Sequence, residues 1–265
     1  GYIQSLGFDV DAFWQEANKI AKKHEMDSNL AYMFLMLQHS KGIFTVTKDA
    51  LADFGSRVKL FSGVEDWFQR INRYGKQKGV KIEHYIISSG IKEMIEGTNI
   101  ARYFTKIYAS SFMFDRDGIA IWPAQAINYT NKTQFLFRIN KGTLDINDAA
   151  VNNYLGYEDR RIPFRNIVYI GDSITDIPCM RLVKANGGYS IAVYDPATEE
   201  KEKVYRLICE ERIEYFTEAN YQDQSELDQL VKAIIDKAAT DEVLVKRHLD
   251  NVAQGKKHLE KKSEE

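Results

Sequence analysis

The sequence predicts an α/β protein built on a Rossmann-like, doubly wound parallel sheet. Three observations carry that expectation. Short β-prone runs, among them His84-Tyr85-Ile86-Ile87, Asn166 to Ile170 and Ser190 to Tyr194, alternate with segments of helical periodicity. The most strand-like run, Asn166-Ile167-Val168-Tyr169-Ile170, stops at Gly171-Asp172, and the pattern returns after an intervening helix. The chain also has the material for a sizeable core: it is 265 residues long, 44% apolar and 28% charged. That composition argues against disorder, collagen-like repetition and a coiled coil along the whole length. At roughly 150 residues per domain, the length suggests about two domains, or one large domain with an insertion.

Taken in order, Phe13, Ala17, Ile20 and Ala21 recur near helical spacing, with Asp9 or Asp11 placed to cap the first turn. Leu30 to Leu37 extends this helical pattern, and the polar stretch Lys41 to Arg57 leaves it. Val64 to Ile71 reads as a helix, closed by turn residues from Gly75 to Gly79. His84 to Ile87 is a strand ending in a Ser88-Ser89-Gly90 loop, followed by a helical stretch with Ile91, Met94 and Ile95. Lys106 to Ala109 is a further strand, and Phe112 to Trp122 reads as a hairpin turning at Asp115-Arg116-Asp117-Gly118. A helix begins at Asn131, and the tail after about Gln222 is helical and ends in a charged run from Gly255 to Glu265.

Charge and cysteine content narrow the function classes. Thirty-six Lys and Arg against 38 Asp and Glu give a formal net charge of -2, which offers no global attraction for nucleic acid or anionic lipid. Cys179 and Cys209 are the only cysteines, too few for a disulfide framework or a four-ligand zinc site, and they suit a reducing compartment. No apolar stretch approaches the roughly 20 residues that span a bilayer, and no signal-peptide layout opens the sequence. The expectation is a cytoplasmic protein without a membrane or nucleic-acid partner.

Chemistry concentrates at strand ends. Asp172 and Asp176 lie in Gly171-Asp172-Ser173-Ile174-Thr175-Asp176, just beyond an apolar strand, where open α/β sheets place their ligand crevice. Two carboxylates one turn apart can meet around a hard cation such as magnesium; the plainer alternative is a strand end and a helix cap. Ser88, Ser89 and Gly90 offer a hydroxyl and close-approaching N–H groups to an anion, or form an ordinary turn. Lys132 opens a helix and could bring a point charge to the same anion, or stay solvated at the surface. Cys179 reads as helix packing rather than a nucleophile, with no histidine nearby in sequence.

The ordered set of a strand ending in Ser88, a helix-starting Lys132 and Gly-Asp-Ser-Ile-Thr-Asp at 171–176 resembles the second, third and fourth motifs of the haloacid dehalogenase (HAD) superfamily. The resemblance is to its phosphoserine-phosphatase-like branch and covers roughly residues 60–220. It implies that Ser88 and Lys132 hold a transferring phosphoryl group while Asp172 and Asp176 anchor magnesium, with Lys141 as the rival lysine. The first motif of the family is an apolar strand followed by Asp-x-Asp, the first aspartate attacking phosphorus and the second moving the proton. Asp9-Val10-Asp11 and Asp115-Arg116-Asp117 imitate its letters. The first follows a stretch too short and polar for a central strand, and the second comes after Ser88 in chain order. The expectation is therefore that this strand lies upstream of Gly1, since a doubly wound sheet without it leaves backbone groups unpaired.

The resemblance implies a HAD-like core at residues 59–222, a small helical cap near the amino end at 5–58, and a helical extension at 223–265. Phe13, Trp14, Tyr32 and Phe34 lie in the proposed cap and are candidates to face a substrate. The implied activity is magnesium-dependent hydrolysis of a small phosphorylated metabolite, a phosphomonoester, through an aspartyl-phosphate intermediate. A noncatalytic phosphate-binding protein and a phosphotransferase are the alternatives.

Overall fold

The computed structural model describes residues 2–5, 7–156, 159–198 and 201–263. Four helices open the chain: α1 (Tyr2–Ser5), α2 (Val10–His24), α3 (Ser28–Ser40) and α4 (Lys48–Ser56). Side-chain caps set three of their starts. Asp9 accepts the Ala12 N–H at 2.9 Å, Asp27 accepts those of Asn29 and Leu30, and Thr47 accepts that of Ala50. Helix α4 corrects the sequence expectation for residues 41–57. Its polar composition hides one apolar stripe, Leu51 and Phe54, which closes a core around Tyr2, Phe13 and Met33, and that burial stabilises a helix its periodicity does not advertise.

Six strands follow: β1 (His84–Ile91), β2 (Phe104–Phe114), β3 (Ala120–Gln125), β4 (Val168–Gly171), β5 (Tyr189–Tyr194) and β6 (Tyr215–Glu218). They form two three-stranded sheets, in the orders β1-β2-β3 and β4-β5-β6. All pairings are parallel except β2 with β3, so the expected parallel sheet carries one antiparallel strand and is divided in two. The predicted Ser88-Ser89-Gly90 loop is part of β1, where it coincides with an irregularity in the β2 register between Ile87 and Ile91. The Asp115 carboxylate accepts the N–H groups of Asp117 and Ile119, and Gly118 takes a φ of 75°, so this Asp-x-Asp is hairpin turn chemistry. Strand β6 has four residues, too few to display a period.

Helices cover both faces. The remaining ones are α5 (Val64–Gln77), α6 (Lys92–Glu96), α7 (Thr133–Lys141), α8 (Ile177–Ala185), α9 (Lys201–Cys209) and α10 (Glu226–Ser263). Strand alternation sorts the contacts. Tyr169, Ala192 and Tyr194 pack with α7, α8 and α9, whereas Val168, Ile170, Ile191 and Val193 pack with α5 and α10. The first turns of α10 bury Leu227, Val231, Ile234 and Ile235, while its distal Leu244 and Leu259 are exposed. Among the described residues no helix is long and apolar enough to cross a membrane. Cys179 is fully buried, and that burial pushes its thiol up to about 11, which leaves it a packing residue.

One polar latch ties the amino end of β1 to the loop that precedes β4. Arg161 donates to Glu83 at 2.5 Å and to the Tyr85 hydroxyl at 3.2 Å, and Tyr85 in turn donates to Glu83. Burial raises the Glu83 carboxyl, but hydrogen bonds from Tyr85, Lys81 and Arg161 outweigh it and bring the group from 4.5 down to about 2. The stability it contributes is present above pH 4.5 and is lost as pH falls towards 2. Glu83→Gln should therefore cost roughly 1–2 kcal/mol at neutral pH, discounted for the half-exposed arginine, and nearly nothing at the acid end of that window. Urea midpoints at pH 7 and at low pH check this; an equal loss at both would remove the charge from the account.

Candidate active site

The strand ends bring the sequence candidates together. Ser88, Ser89 and Gly90 at the carboxyl end of β1, Lys132 before α7, and Asp172 and Asp176 beyond β4 all line one cavity of about 1150 Å³. Ser88 Oγ accepts the Gly90 N–H at 3.0 Å, which leaves its own proton free to be donated. Ser89 Oγ is buried without a hydrogen-bond partner among the described residues, and the Ser89 carbonyl accepts from Tyr32 at 2.8 Å. Of the four candidate aromatics, Phe13 and Tyr32 are buried, Trp14 and Phe34 are exposed, and Tyr32 is the one that bonds the β1 end.

Lys132 and Asp176 form the centre of the site. They are 4% and 6% exposed, and Lys132 Nζ lies 2.7 Å from Asp176 Oδ1. The Tyr169 hydroxyl donates to the same oxygen at 2.7 Å, while Ser173 donates to Oδ2 through its hydroxyl at 2.8 Å and its N–H at 3.2 Å. Burial alone would raise the Asp176 carboxyl, yet the Lys132 charge and these hydrogen bonds prevail and hold it below its ordinary value. Burial first, and then the Asp176 charge, push the Tyr169 phenol far upward, so it remains a donor. Gly171 is required here: a Cβ at that position would sit 2.8 Å from the Asp176 Cβ.

Asp172 differs from Asp176. It is exposed, and no described residue donates to its carboxylate; Lys203 holds only its backbone carbonyl, at 3.1 Å. Asp176 has both oxygens engaged by protein donors, so Asp172 is the carboxylate open to a cation. No cluster of three or more His, Cys, Asp or Glu side chains suited to a metal occurs among the described residues. Lys141 points elsewhere, donating to the carbonyls of Val151 and Asn153. Asp9 and Asp11 stand exposed at the start of α2, and neither they nor Asp115 and Asp117 line this cavity. Sequence reasoning missed Tyr169, Ser173 and Thr175, whose hydroxyls complete the network around Lys132 and Asp176. Ser173 and Thr175 lay inside the motif, whereas a tyrosine in a strand gives no signal of its own.

No protein-family model matches the sequence. An uncharacterized protein of Borreliella burgdorferi is 28% identical over 254 residues, covering 83% of this chain and 87% of its own. Among solved structures, the chain resembles a HAD family hydrolase from Salmonella enterica serovar Typhi, with a TM-score of 0.52 and 18% identity over 88% of this chain. The alignment spans 64% of that structure's length. The likeness identifies the architecture as a HAD-like Rossmann fold, with the candidate residues at the carboxyl ends of its strands.

Lys132→Met should strand a buried carboxylate and cost about 3–5 kcal/mol, and adding Asp176→Asn should recover part of that loss. Urea denaturation of the two single variants and the double variant gives the coupling; simple additivity would mean the pair is not interacting. The stabilisation from Asp176 is present above pH 3.8 and disappears as pH falls through its lower folded value, so the coupling should shrink in strong acid.

Proposed function

We propose that this protein is a magnesium-dependent phosphatase acting on a small phosphomonoester, with Ser88, Lys132, Asp172 and Asp176 as its phosphoryl and metal site. The observation that carries the proposal is that these residues, far apart in sequence, border one cavity at the carboxyl ends of β1 and β4. The HAD-like fold supports a hydrolase. The Ser88 hydroxyl donates to a phosphoryl oxygen, and Lys132, oriented by Asp176, offsets its charge. Asp172 supplies the hard oxygen that magnesium favours, since this ion keeps several waters and takes one or two carboxylates plus phosphate oxygens. When bound, magnesium supplies positive charge beside the phosphoryl group.

Hydrolysis through an aspartyl-phosphate needs a further carboxylate as nucleophile. Asp172 and Asp176 are the aspartates lining this cavity, one open to a cation and the other fully engaged by protein donors. The same observation favours a second reading for the 265 residues alone: binding of phosphate and magnesium without turnover.

Asp172→Ala should abolish the magnesium dependence of phosphate binding and of p-nitrophenyl phosphate hydrolysis, with circular dichroism and the urea midpoint unchanged. Lys141→Met should leave both ligand measurements intact. Magnesium-dependent binding that survives Asp172→Ala overturns the metal assignment, and binding without hydrolysis supports the second reading.

A further inference from the structure

We infer that helix α3 is a fixed brace for the candidate site, with Tyr32 as a positioning residue that holds the Ser88-Ser89-Gly90 segment in place relative to the loop presenting Lys132. This deepens the phosphatase proposal and rests on its assignment of Ser88 and Lys132 to a phosphoryl group. Both segments need an anchor because neither is held by regular sheet pairing. Between the pairs Ile87 with Tyr108 and Ile91 with Ser110, β1 carries three residues and β2 one, so Ser88, Ser89 and Gly90 bulge out of the ladder. Lys132 follows β3 across residues 126–131, which belong to no strand or helix.

Helix α3 reaches both. The Tyr32 hydroxyl donates to the Ser89 carbonyl at 2.8 Å, inside the bulge. Burial pushes the Tyr32 phenol far upward against a hydrogen bond from Ser110, so it stays a donor. Ser110 Oγ also accepts the Ile127 N–H at 2.9 Å, and the bonds therefore run from Ile127 through Ser110 and Tyr32 to Ser89. About one turn earlier on α3, the Asn29 side chain donates to the Ile127 carbonyl. Asp27 caps the helix through the N–H groups of Asn29 and Leu30 and, with its other oxygen, accepts from the Asn128 side chain. The Asn128 carbonyl in turn accepts the Lys132 N–H at 3.1 Å.

A brace must itself be immobile. Ala31, Tyr32, Met33, Leu35 and Met36 are buried, and all but Ala31 share a core with Ile91 of β1 and Phe112 of β2, next to the bulge. Trp14 of α2 packs edge-on against the Tyr32 ring, 5.4 Å between centroids. The helix rises about 7.5 Å from Asp27 to Tyr32, and that rigid length sets the spacing of the two anchored segments. What the ties orient is donor geometry: Ser88 Oγ stays beneath the Gly90 N–H at 3.0 Å, and Lys132 Nζ stays beside Asp176 at 2.7 Å. Small displacements of such groups are expensive for a bound phosphoryl group.

The test compares the 265-residue chain with Tyr32→Phe, Asn29→Ala and the control Leu51→Val, which loosens the shared core without cutting a polar tie. Amide hydrogen exchange is read on peptides covering 84–92 and 126–133, and inorganic phosphate is titrated calorimetrically with magnesium present. Tyr32→Phe should speed exchange at 84–92 about 10-fold, and Asn29→Ala should do the same at 126–133. Each should weaken phosphate binding about 10-fold, whereas Leu51→Val should change neither reading. Unchanged exchange in both tie variants, or an equal change in Leu51→Val, overturns the brace. Faster exchange with undiminished phosphate affinity overturns the positioning role. An unmutated chain that binds no phosphate overturns the assignment of Ser88 and Lys132 instead, and exchange then decides the brace by itself.

Discussion

The buried contact between Lys132 and Asp176 is the interaction on which the arrangement of this protein's chemistry depends. Placing an ammonium and a carboxylate together at 4% and 6% exposure is tolerable only because each finds the other and the remaining carboxylate lone pairs are filled by Tyr169 and Ser173. The pair ties the start of α7 to the turn that opens α8, and thereby sets which side chains border the cavity. Asp176 orients Lys132 and Ser173, which both contact the Thr175 hydroxyl, and Asp172 is left as the exposed carboxylate. The two aspartates of one short motif thus acquire different duties from their surroundings.

The helix layers make this possible despite a divided sheet. Helices α5 and α10 on one face and α7 on the other pack against residues of both half-sheets, so apolar burial maintains their relative placement where backbone pairing does not. The polar latch of Glu83, Tyr85 and Arg161 closes the end remote from the site. The result is a cavity with an apolar interior and a polar mouth, and the chemistry of the mouth is available without rearranging the layers.

Much of the candidate site was legible in the sequence because its signals are short. A glycine next to a strand-terminal aspartate, a serine pair before a glycine, and a lysine opening a helix each reflect local backbone requirements within a few residues. Asp9 and Asp115 were likewise legible as a helix cap and a hairpin turn, since their partners lie three and two residues away. Helix α4 and strand β6 were not legible, because the burial that stabilises them comes from distant residues. Tyr169 was invisible as a site residue for the same reason: strand tyrosines usually pack, and its role depends on where Asp176 lies.

The sequence by itself determined the α/β class and the strand tips that carry polar residues, and it ranked Lys132 ahead of Lys141. Only the tertiary structure decided that Lys132 meets Asp176 across 44 positions, that Asp172 stays open while Asp176 is fully engaged, and that β1 and β4 belong to separate sheets among the described residues. The physical reason is range. Capping and turn chemistry act within a few residues and are written in neighbouring letters, whereas ion-pair desolvation and sheet pairing depend on which distant segments the packed core brings together.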